Sequence, residues 1–217
     1  MQARRIVFAL AFTLAFVART ATAVAAPPCV GWDVEYALNA TLRITDTTLG
    51  AGDGTHPIGP GRLVLRYDDI DGAPGGAVRV VDYELTDHFV LEPHYLLVSA
   101  TITTDTTTRT TPDARGFSAE GVLRGRTIRW ATPWAGMRSD GFLTCTGNLC
   151  GKFGAPPAGK SPLHVAPHPA SFSSFELADD GRTFRMDWSV ESHQDSPRET
   201  SLVSLGGRET KRICRTE

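Results

Sequence analysis

After its first residues the chain has no apolar run of the roughly 20 residues that a bilayer-crossing helix needs, so nothing downstream suggests a membrane span. An excess of charge of one sign is missing too, with 22 basic against 24 acidic residues. A balanced, mildly acidic surface argues against nucleic acid or an anionic membrane as the main partner. The chain also lacks a G-x-S-x-G nucleophile elbow, a phosphate-binding P-loop, a dinucleotide-binding glycine fingerprint and an H-E-x-x-H zinc motif, so no cofactor or metal is expected from motifs. There is no internal repeat and no stretch with the 3.6-residue periodicity of an amphipathic helix. Cysteine is sparse, at four residues.

What is present begins with an export signal. Arg4 and Arg5 precede the apolar run Ile6 to Val17, and Ala21-Thr22-Ala23 and Ala23-Val24-Ala25 offer small-x-small cleavage sites. Residues 1–25 therefore read as a cleaved signal peptide, and 26–217 as a single all-β domain in the periplasm or outside the cell. Cleavage removes three arginines and no acid, leaving 19 basic against 24 acidic residues and a net charge of −5. Two prolines, Pro27 and Pro28, stand directly before Cys29, where a lipid-anchor motif needs small residues after an aliphatic one.

In an oxidising compartment four cysteines most simply make two disulfides. Cys145 and Cys150 enclose a short loop, whereas Cys29 and Cys214 lie near the two ends of the mature chain. Pairing near with near and end with end is the expected connectivity. The C-x4-C spacing fits neither a zinc knuckle nor a C-x-x-C redox pair.

Trp32, Val34, Tyr36, Leu38, Ala40, Leu42 and Ile44 occupy every second position, with mostly polar residues between them. This alternation defines a half-buried strand roughly 40 Å long at about 3.3 Å per residue. Val78 and Val80 hold one phase and Val81, Tyr83 and Leu85 the other, a slip that predicts a β-bulge near Val80. Phe175 and Leu177, the turn Asp179-Asp180-Gly181, and then Phe184, Met186, Trp188 and Val190 describe a hairpin. Residues 151–170 hold five prolines and read as a long ordered loop. The threonine-rich tract from Thr101 to Thr111 extends a strand that starts near Leu96 into an exposed edge or hairpin tip. The sum is an antiparallel β-barrel or β-sandwich of about ten short strands. A Cys29–Cys214 bond would bring the first and last strands together and favour the closed barrel.

Chemistry-bearing residues are few. Asp87, His88, Glu92 and His94 fall close together in sequence and form the candidate catalytic or ligating cluster at one rim. His164 and His168 are four apart, but Pro162, Pro167 and Pro169 forbid the helix that would align them. Asp68-Asp69-Ile70-Asp71-Gly72 resembles a calcium loop only superficially, because Tyr67 and Val78 fall at the first and last ligand positions. Among the tryptophans, Trp32 and Trp188 lie on core phases. Trp134, between Pro133 and Gly136, is the candidate exposed ring for a ligand. The leading functional expectation is a non-enzymatic binding module that takes a small apolar ligand in its interior or a surface partner through its loops. The alternatives are a secreted hydrolase using the Asp87 cluster and a structural envelope-associated module.

Overall fold

The computed structural model describes residues 29–46, 54–68, 76–152, 155–172, 174–192 and 199–216. Residues 1–25, read above as an export signal, and most of the calcium-like turn, from Asp69 onward, lie outside the described residues. Among the described residues there is no helix, and the chain is built from strands. In order these are β1 (Gly31–Asp46), β2 (Gly54–Tyr67), β3 (Ala77–Leu91), β4 (His94–Tyr95), β5 (Val98–Arg109) and β6 (Ala119–Arg124). They are followed by β7 (Thr127–Trp130), β8 (Trp134–Gly147), β9 (Gly159–Ala170), β10 (Phe175–Leu177), β11 (Thr183–Ser192) and β12 (Glu199–Arg215). Several strands are longer than the sequence suggests: β12 runs for 17 residues and β1 for 16.

Eight strands close a barrel in the order β2-β1-β12-β11-β10-β7-β6-β3, with β3 returning to β2. All pairings are antiparallel. β3 is the branch point. Its residues Ala77–Val80 pair with β6, and Glu84–Leu91 pair with β5, from which β8 and β9 continue the sheet. The bulge expected near Val80 sits at this fork, where Val64 opposes Asp82 and Leu65 opposes Val80, leaving Val81 as the extra residue. It switches the inward phase from Val78 and Val80 to Tyr83 and Leu85, all buried.

The barrel core follows from the alternation of the strands. Val34, Tyr36, Leu38 and Ala40 from β1 meet Leu63 and Leu65 from β2, Ile128 from β7, Phe175 from β10, Phe184 and Met186 from β11 and Leu205 from β12. Phe175 and Phe184 stack with ring centroids 4.6 Å apart. The Phe184 ring lies over Gly207, its cross-strand partner, where an added Cβ would stand 2.1 Å from a ring carbon. Only glycine leaves room for that ring.

The two disulfides join Cys29 to Cys214 and Cys145 to Cys150. The first ties the segment entering β1 to the end of β12, the strand that β1 pairs along its whole length. The second clamps the tight loop after β8. Within that loop Asn148 Oδ1 accepts from the Ser99 amide at 2.8 Å, and its Nδ2 donates to the Leu97 carbonyl at 3.3 Å. The clamped loop thus braces the β4–β5 turn, whose Leu96 and Leu97 stand in the open.

Two segments depart from the sequence reading. The proline-rich stretch is not a loop throughout, because residues 159–170 form β9 along β8. Pro162, Pro167 and Pro169 are accommodated because β9 is the last strand of the extension, and a strand with one unpaired side tolerates missing amide donors. Nor is the threonine tract an edge. β5 is paired by β3 on one side and β8 on the other, and Thr104, Thr106 and Thr110 are buried.

Candidate functional site

Between the barrel strands and the β5–β8–β9 extension lies a cavity of about 400 Å³. Its apolar walls are Leu42 of β1, Ile58 of β2, Tyr83, Leu85 and Phe89 of β3, Met137 of β8 and Val203 of β12. Residues 169–172, at and beyond the end of β9, complete the lining. The volume falls within the range of small-molecule sites, about 300–1,000 Å³.

On the sheet, three polar side chains interrupt this apolar surface, namely Asp87, Thr108 and Ser139. Their placement follows from strand alternation and register. Tyr83, Leu85, Asp87 and Phe89 are every second residue of β3 and share its inward face. Thr108 stands opposite Leu85, and Ser139 opposite Thr108. The Thr108 and Ser139 hydroxyls are 2.8 Å apart, and Thr108 Oγ1 donates to Asp87 Oδ2 at 3.4 Å. The other carboxylate oxygen, Asp87 Oδ1, is buried without a hydrogen-bond partner. Among the lining residues Asp87 alone carries a charge. Burial raises the Asp87 carboxyl to about 6, against the smaller opposing pull of the Thr108 and Thr106 hydroxyls. Burial, with the Asp87 charge adding to it, also pushes the Tyr83 phenol well above its ordinary value.

His56 adds a further polar group on the same side of the sheet. It pairs with Leu42 across β1 and β2, its ring rests on Phe89 with centroids 5.5 Å apart, and its Nε2 is buried without a partner.

Of the sequence candidates, the structure keeps one at a site and disperses the rest. Asp87 faces the cavity, but His88 is the next residue of the same strand, so its side chain leaves by the opposite face and is exposed. Glu92 lies beyond the end of β3 and His94 on the short strand β4, both exposed. The four-residue cluster is therefore not assembled. Trp134 is not an exposed ring either. It is fully buried, edge-on to Tyr83 at 5.5 Å, Trp130 at 5.2 Å and Phe172 at 4.6 Å. Gly136, at φ 65°, and the irregular register between Trp134 and Met137 turn the start of β8 so that the indole points inward. Trp134 thus stands behind the cavity wall, supporting Tyr83 and Phe172. His164 lies on β9 opposite Asp140 and bonds it through Nδ1 on the outer surface. That pair, with both side chains more than half exposed, is not part of the cavity lining, although Asp140 directly follows Ser139 on β8.

Sequence reasoning missed Thr108 and Ser139. They are 21 and 52 residues from Asp87 in the chain and are brought beside it only by the fork in β3. Compared with protein-family models, curated proteins and solved structures, the chain matches none.

Proposed function

We propose that this protein is an exported, non-enzymatic carrier that holds a small, mainly apolar molecule between its barrel and the β5–β8–β9 extension. The cavity of about 400 Å³ is the observation that carries the reading. Small-molecule sites are mostly apolar concavities of about this size, and here apolar side chains from β1, β2, β3, β8, β9 and β12 line one. The two disulfides and the basic-apolar-small pattern of residues 1–25 support export, since disulfides persist in oxidising compartments. Native mass spectrometry of the mature protein from an oxidising export host tests the reading. The expected result is a reproducible added mass that leaves on denaturation. A bare monomer mass under conditions that preserve added model ligands contradicts it.

A further inference from the structure

We propose that the cavity selects apolar molecules that bear a basic nitrogen, anchored on Asp87, and rejects those that bear a carboxylate. The inference rests on the carrier reading and adds the chemical class of the ligand.

Three observations carry it. Asp87 is the one charged side chain in the lining, and its Oδ1 is buried with no partner. A buried charge or polar atom without a partner is costly, and structures retain one where something else completes it. No lysine or arginine contributes to the lining, so a donor carried by the ligand would complete the pairing of Asp87. The neighbouring acceptors fit the same group. An ammonium has three N–H donors, and the oxygens of Asp87, Thr108 and Ser139 lie together on one stretch of wall, linked by bonds of 3.4 and 2.8 Å. The remaining lining, from Leu42, Ile58, Leu85, Phe89 and Met137, takes an aliphatic or aromatic body. A fatty acid would set a second negative charge against Asp87 in a poorly solvated space, where like charges repel strongly.

The test is displacement of Nile red, a neutral apolar dye without hydrogen-bond donors, by decylamine, decanol and decanoate at pH 7.5. These three competitors share one chain and differ in the headgroup. Decylamine is expected to displace the dye at a concentration about tenfold or more below decanoate, as a charge-assisted hydrogen bond predicts, with decanol between them. In Asp87→Asn the ratio of decanoate to decylamine midpoints falls towards one. Asp87→Glu, which keeps the charge, retains a preference for the amine and guards against misreading a folding defect. Equal displacement by decylamine and decanoate in the wild type, or an unchanged ratio in Asp87→Asn, overturns the ligand class while leaving the carrier reading in place. Failure of the protein to bind Nile red or any of the three competitors overturns both.

Discussion

Replacing Cys29 and Cys214 together by serine lowers the unfolding free energy by up to about 5 kcal/mol, whereas the same change at Cys145 and Cys150 lowers it by about 2 kcal/mol. The difference comes from the length of chain each bridge closes, 185 residues of separation for the first and five for the second. Loop-closure entropy grows with that length, so the long bridge removes more freedom from the unfolded chain. In the native barrel the bridge only reinforces the β1–β12 pairing, with Trp32 opposite Cys214. Its loss should therefore leave the far-ultraviolet circular dichroism spectrum of the folded protein unchanged and shift the denaturant midpoint. Equal midpoint shifts for the two double variants would contradict this account of the end-to-end bridge.

Asp87→Asn changes how stability depends on pH. The wild-type carboxyl has a folded value of about 6 and an unfolded value near 3.9. Between these limits the native state holds a proton that the unfolded state has lost. Native stability at this site therefore falls as pH rises from about 4 to about 6, and the penalty stays constant above that. Once the carboxyl is ionised in both states, the penalty amounts to about 3 kcal/mol. Asparagine does not titrate, so the stability of Asp87→Asn relative to wild type should rise by about 2 kcal/mol between pH 4 and pH 8, the unfolded carboxyl being already half ionised at the lower pH. Any constant cost of burying the amide drops out of this comparison. Chemical denaturation at both pH values measures it, and a pH-independent difference would mean that Asp87 is solvated in the native protein.

The barrel was readable where side chains report their own strand. The alternation from Trp32 to Leu42 needs only a core on one side and water on the other, and the buried positions Val34, Tyr36, Leu38 and Ala40 follow it. The phase slip at Val80 announced a bulge, which the register locates at Val81. The hairpin around Asp180 carries its own turn chemistry, with the Asp180 carboxylate accepting from the Arg182 and Thr183 amides. The position of Cys29 and Cys214 near opposite ends of the expected domain, residues 26–217, pointed to the bridge that reinforces closure.

The site was much less readable, because it depends on which strands meet. Asp87, His88, Glu92 and His94 are neighbours in sequence, yet successive strand residues face opposite ways, and only Asp87 turns inward. Its partners Thr108 and Ser139 come from β5 and β8, whose position beside β3 is a matter of topology that no local pattern announces. Proline argued against a strand over residues 159–170, and that argument weakens at a sheet edge, where β9 lies. Trp134 looked exposed because proline and glycine flank it, but the same glycine at φ 65° drives the indole into the core.

The measurement that tests the central claim most directly is a Nile red titration of the mature protein beside Ala170→Trp, which fills the cavity from the end of β9 without removing a hydrogen-bonding side chain. Saturable, blue-shifted emission at one dye per chain in the wild type, lost in an Ala170→Trp variant that keeps the wild-type circular dichroism spectrum and melting temperature, is the result the carrier account predicts. No saturable binding by the wild type, or undiminished binding by the filled variant, would contradict it.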